Sequence, residues 1–194
     1  MREWLWKSML AAVLCLGAGE SYRRTVPLET PVPPAPPAEA PFVDVAFGQR
    51  WYDGAQYGYR RGLVRGMTET EFGGELPATR AMAATMIWRM AGEPEVLGKS
   101  GFSDVEEDRY YTPAVVWGES RGLWRGYGAG DFRPETPVTR AQLKMVLGRY
   151  MGREEIEVSL LKMPPAGEER PLSRGELAET LMELCEEGAR RKDG

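Results

Sequence analysis

Histidine is absent from all 194 residues. That absence removes the commonest general base, the commonest metal ligand and every Ser–His or Cys–His nucleophile pair. Cysteine is nearly as scarce. Cys15 and Cys185 are the two present, without Cys-x-x-Cys spacing, so a thiolate zinc site is excluded. Because Cys15 lies in a segment expected to be removed, no internal disulfide is expected in the mature chain. Charge of one sign is never concentrated, and the formal net charge is −4, whereas a nucleic-acid binder presents a gathered basic face. The apolar stretch Ser8–Gly19 has 12 residues, short of the ~20 that span a bilayer comfortably.

What is present is hydrophobic content of 42%, enough for a packed core. At the N-terminus, Arg2 and Lys7 precede Ser8–Gly19, and Gly17, Ala18 and Gly19 supply small residues for cleavage. Residues 1–19 therefore read as an export signal, an uncleaved anchor being the alternative, and no stable membrane insertion is expected after cleavage. Residues 20–41 read as a linker. Within it, Pro27–Pro41 holds seven prolines in fifteen positions, so it can be neither helix nor central strand. An extended spacer of about 3.1 Å per residue and an ordinary linker both fit.

An internal repeat organises the remainder. Displaced by 60 positions, Phe42–Pro94 lies on Phe102–Glu154 without a gap, with 17 of 53 pairs identical. Phe42-Val43-Asp44-Val45 answers Phe102-Ser103-Asp104-Val105. Arg61-Gly62-Leu63-Val64-Arg65-Gly66 answers Arg121-Gly122-Leu123-Trp124-Arg125-Gly126. Pro77-Ala78-Thr79-Arg80-Ala81 answers Pro137-Val138-Thr139-Arg140-Ala141. Residues 42–94 and 101–154 are thus two copies. Residues 155–188 are part of a third, in which Pro171–Leu177 repeats the second half and Glu155–Arg170 lacks the first, and 189–194 form a tail.

Each unit reads as helix, turn, helix. Thr112 with Pro113 and, in the first copy, Asp53 are expected to open the first helix; Gly62 and Gly122 are expected to close it. The second helix is expected to open at Thr79, Thr139 and Ser173, with capping-box partners Gln142 and Glu176. Inward positions recur at i, i+3, i+4 and i+7: Ala83, Met86, Ile87 and Met90, then Leu143, Val146, Leu147 and Tyr150, then Leu177, Thr180, Leu181 and Leu184. The expected fold is all-α, with three such stripes packed about a pseudo-threefold axis.

These motifs resemble the S-layer homology family, whose unit places Phe-x-Asp-Val at the front and Thr-Arg-Ala/Glu at the second helix. Copy two carries the likeness furthest, through Tyr110-Tyr111, Trp117, Gly122-Leu123, Gly126-Tyr127-Gly128, Phe132-Arg133-Pro134 and Thr139-Arg140-Ala141-Gln142. In copy one Trp51-Tyr52 sits one position late and Gly73-Gly74 stands in place of Arg133-Pro134. The resemblance implies a bacterial cell-envelope module that binds cell-wall polysaccharide noncovalently, commonly a pyruvylated and hence anionic glycan, in grooves between repeats. It points to Arg80, Arg140 and Arg174, to Asp44 and Asp104, and to Trp51, Tyr110, Gly66 and Gly126 as groove residues.

A physical argument reaches the same arginines. Each opens a helix, where the dipole mildly disfavours a cation, by ~0.3–1 kcal/mol. Free helix amides beside a guanidinium would suit a carboxylate. Against this, Arg80 and Arg140 are equally expected to pair with Asp44 and Asp104 and brace adjacent repeats. Trp51 and Tyr110 fit sugar stacking and packing alike, while Trp117 fits the core.

An enzyme is not expected. Glu69, Glu71, Glu75, Asp131 and Glu135 lie in turns with no readable pairing, and Gly126–Glu135 lacks a calcium-loop ligand pattern. No catalytic residue, metal or cofactor follows. The alternative to a secreted wall-binding module is a protein–protein scaffold that kept the fold and lost the glycan site, with self-association as its sign.

Overall fold

In a computed structural model, residues 39–128, 130–152 and 170–190 are described. The expected signal, most of the Pro-rich linker, the stretch 153–169 and the end of the tail lie outside them.

Copy one contributes α1 (Tyr52–Arg60) and α2 (Arg80–Met90), copy two α3 (Thr112–Ser120) and α4 (Arg140–Met151), and the partial copy α5 (Arg174–Arg190). The first helices stop as the sequence dictates, with Gly62 at φ 69° and Gly122 at φ 66°, the left-handed region that glycine enters freely. Their starts differ from expectation by one or two residues. Trp51 and Tyr111 occupy the capping positions without a side-chain cap bond, Asp53 falls inside the first turn and Thr112 is already helical. Bulky aromatics packed at the entry take the place of a hydroxyl or carboxylate cap.

The second helices start where their caps predict. Thr79 Oγ1 accepts from the Met82 amide, and Thr139 and Gln142 form a reciprocal capping box. Ser173 and Glu176 form another: the Glu176 amide donates to Ser173 Oγ at 3.2 Å and the Ser173 amide to Glu176 Oε2 at 2.9 Å. Every position of the three expected stripes is buried.

Backbone hydrogen bonds join the copies just ahead of these helices. The Ala78 amide donates to Leu172 O (2.8 Å), the Leu172 amide to Val138 O (2.9 Å) and the Val138 amide to Ala78 O (2.8 Å), a closed ring of equivalent residues. Each turn is flanked by an isolated antiparallel bridge, Pro77 with Ser173, Thr79 with Pro137 and Thr139 with Pro171. The first helices fill the angles between copies: α3 packs on α2, and α1 packs on α5. Phe72, Phe132, Leu172 and Trp117 join the helix stripes in one core.

Candidate functional site

The helix-opening arginines are buried, at 4% exposure for Arg80, 3% for Arg140 and 6% for Arg174. Carbonyls hold Arg174 and Arg80. Arg174 donates from Nε to Phe72 O (3.1 Å) and from Nη2 to Arg65 O (2.9 Å), with Nη1 3.3 Å from the Met82 sulfur. Arg80 does the same in the next copy, from Nε to Phe132 O (2.8 Å) and from Nη2 to Arg125 O (3.3 Å).

The expected pairing of these arginines with Asp44 and Asp104 is corrected by this geometry. Asp44 accepts the amides of Phe72 and Gly73, both at 2.7 Å, and Asp104 those of Phe132 and Arg133, both at 2.7 Å. Each phenylalanine peptide is therefore held by its amide to an aspartate of its own copy and by its carbonyl to an arginine of another. Arg174 lies near Asp44, and Arg80 near Asp104 rather than Asp44, close enough for their charges to be felt without a direct bond. The free helix amides expected at these starts are also taken. Arg80 and Ala81 amides donate to Thr136 O and Pro134 O (2.9 Å each), and Arg174 and Gly175 amides to Leu76 O (2.8 Å) and Gly74 O (2.9 Å). Buried peptide donors find partners, and here the neighbouring copy's loop supplies them. What these helix starts leave unspent is guanidinium, not amide.

Among the described residues, one cleft lies beside Arg174 and another beside Arg80. The first groove, a cavity of about 450 Å³, runs between the Val64–Met67 loop and α2, with Arg174 at its floor and Tyr110 and Glu135 of copy two at its rim. The second, about 340 Å³, repeats it 60 positions on, with the Trp124–Tyr127 loop, α4 and Arg80. Gly66 and Gly126 line them because nothing larger fits: a Cβ at Gly66 would stand 2.1 Å from Thr68 O, and one at Gly126 2.7 Å from the Phe102 ring.

Three guanidiniums converge on each cleft: Arg65, Arg89 and Arg174 on the first, Arg125, Arg149 and Arg80 on the second. Burial, then the neighbouring charges of Arg65 and Arg174, pushes Arg89 below its ordinary value despite Glu93; burial, then Arg125, does the same to Arg149. Burial likewise lowers Arg174 and Arg80. All stay cationic near neutrality, and such partly desolvated like charges gain from an arriving anion. Tyr110, 57% exposed, has its phenol raised by burial and then by Glu135, so it keeps its proton and can donate.

Arg65, Arg89, Arg125 and Arg149 were missed as site residues, although both pairs are identical across the repeat. Of the residues expected in grooves, Arg174, Tyr110 and Gly66 come together in the first, and Arg80 and Gly126 in the second. Trp51 is in neither. Its indole lies against Gly74 and Gly175, where an added Cβ would approach within 2.4 Å of the ring, and it lines a smaller polar hollow of about 220 Å³ with Arg50, Glu75, Arg170 and Glu176. Trp117 is core.

That hollow mixes charges, with Glu75 and Glu176 set among Arg50 and Arg170. Glu176 and Glu183 stand on α5 where α2 has Met82 and Arg89 and α4 has Gln142 and Arg149. Glu176, buried, pairs with Arg50 (3.1 Å) and with Arg170. Burial alone would raise its carboxyl, but the bond from Arg170, the Ser173 amide and the charges of Arg170 and Arg50 outweigh this and hold it below the usual range. A carboxyl lowered on folding contributes stability above its unfolded value and loses it as pH falls through the folded one. Glu176→Gln is accordingly expected to flatten the acid limb of stability against pH, read as urea midpoints from pH 7 down to pH 3.

A family model described as S-layer homology domain matches residues 41–84 and 101–143. Among curated proteins, Cell surface glycoprotein 1 of Acetivibrio thermocellus is 32% identical over 101 residues, 50% of this chain and 4% of that protein. Cell surface protein of Thermoanaerobacter kivui is 26% identical over 125 residues, 62% of this chain and 16% of that protein. Surface-layer 125 kDa protein of Lysinibacillus sphaericus is 31% identical over 86 residues, 44% of this chain and 7% of that protein. The chain thus matches a small fraction of each relative's length.

Proposed function

We propose that this chain, which carries S-layer homology repeats, is a non-catalytic module of the cell surface that holds an acidic cell-wall polysaccharide noncovalently in its inter-repeat grooves. One observation carries the reading. Three guanidiniums, drawn from two different copies, face an open cleft whose lining holds one carboxylate, Glu135, with Glu93 paired to Arg89 at 3.7 Å and a protonated phenol at the rim. A carboxylate such as that of a pyruvyl ketal takes paired bonds from arginine, and the rim tyrosine offers a face to the sugar ring. The module's net charge of −4 fits local capture rather than long-range attraction.

The architecture supports the same reading. We infer a pseudo-threefold bundle whose axis passes through the Ala78–Val138–Leu172 ring, and two anion grooves rather than three, since Glu176 fills the third position with its own carboxylate. Residues 1–19 then act as an export signal and 20–41 as a spacer holding the folded part away from its attachment. Tyr110→Ala tests the groove at a residue that is itself mostly exposed, its one ring contact among the described residues being with Tyr111. Retention on purified wall glycan is expected to fall about fivefold, while the melting temperature stays within 2 °C, consistent with ~1 kcal/mol for a lost stacking contact. Unchanged retention would count against the groove.

A further inference from the structure

The two grooves share their arginines and differ in what covers them. In the second, the Tyr127 ring lies against the Arg80 guanidinium, whose carbon is 5.0 Å from the ring centroid. The Arg133 guanidinium carbon is 4.2 Å from the same centroid, and the Tyr127 hydroxyl accepts a bond from Gln142 Nε2 at 3.0 Å. The loop itself is closed, with the Tyr127 amide donating to Asp131 O at 2.8 Å and the Gly130 amide to Tyr127 O at 2.9 Å. Arg80 also faces the Trp124 and Phe132 rings, at 5.2 and 4.7 Å. In the first groove, 60 positions earlier, Met67 stands for Tyr127, Met82 for Gln142, Gly73 for Arg133 and Val64 for Trp124. Arg174 keeps the one ring equivalent to Phe132, Phe72 at 5.2 Å, and its Nη1 faces the thioether of Met82, a weak acceptor that an anion's oxygen would readily displace.

From this difference we infer that the grooves are ranked: the first is the open site, and Tyr127 is a built-in cap that closes the second. An aromatic ring over a cation satisfies part of its charge and occupies the side from which a carboxylate would arrive. A ligand at Arg80 must first displace the ring from Arg80, Arg133 and Gln142, and its apparent affinity falls by the fraction of time the ring is away. The smaller second cavity, about 340 Å³ against about 450 Å³, agrees with a space partly filled by its own side chain. This ranking rests on the acidic-sugar reading of the grooves.

The test is calorimetric titration of the full chain with a methyl hexoside bearing a pyruvyl ketal. The wild type is expected to bind one equivalent in the accessible range. Y127M, which gives the second groove the residue of the first, is expected to bind two, the second site tightening about tenfold. M67Y/M82Q, which transplants the ring and its amide partner, is expected to weaken the first site about tenfold. Two equal sites in the wild type, or a second site weakened by Y127M because the ring is part of it, would overturn the ranking and leave the acidic-sugar reading standing. Absence of heat from all three proteins would overturn that reading and the ranking with it.

Discussion

Leu181→Ala is expected to lower the stability of the whole folded unit by about 2–5 kcal/mol, the range for deleting a large buried aliphatic side chain. Leu181 is fully buried on α5, in the core shared with the helices of both complete copies. The cost should appear in one transition. The Ala78–Val138–Leu172 ring ties the three helix starts together, the amides at the start of α5 donate to carbonyls in the loop of copy one, and Arg174 holds Phe72 O and Arg65 O of copy one. Losing α5 would strip partners from all of these. Urea unfolding followed by tryptophan fluorescence and by circular dichroism checks it, and two separated transitions would mean that the partial copy is an appendage.

The ingredients of that cooperativity were legible in the sequence to different degrees. The helix stripes were, because a 3.6-residue period can be read from one strand of text, and so were the hydroxyl caps at Thr79, Thr139 and Ser173. The starts of the first helices were not, since Trp51 and Tyr111 hold them by packing, which leaves no capping signature. The partners of the aspartates were not legible for a related reason. Phe-x-Asp-Val shows a carboxylate beside a core phenylalanine, but the two amides it accepts lie 28 and 29 positions away, and nothing local distinguishes a backbone clamp from an ion pair. The arginines were recognised and their surroundings were not, because the carbonyls and amides of a neighbouring copy's loop carry no sequence signal. Arg65 and Arg89 were visible as repeat-identical positions and became site residues only once folding brought them to one cleft. Trp51 shows the converse: matched to the aromatic position by sequence, its indole lies against Gly74 and Gly175 and lines neither groove.

Arg65→Glu is expected to weaken wall-glycan binding at least tenfold, about 1.4 kcal/mol or more, with stability unchanged or slightly raised. The Arg65 side chain is exposed, and only its backbone carbonyl serves the fold, by accepting from Arg174. Reversing its charge removes one of three cations from the open groove and places a carboxylate where the ligand's must sit. It also relieves the repulsion that helps to lower Arg89. Arg125→Glu, in the groove covered by Tyr127, is expected to cost less. Binding by the unaltered chain should weaken as salt rises, since these charges are reached by solvent. An equal loss for the two reversals would argue that both grooves contribute alike.

The central claim is that the clefts recognise the acid on the sugar and not the polysaccharide in general. Co-sedimentation with purified pyruvylated wall glycan, before and after mild acid has removed its ketal, separates these directly. The account predicts that the full chain is retained by the intact glycan and released once the ketal is gone; equal retention by both preparations would contradict it.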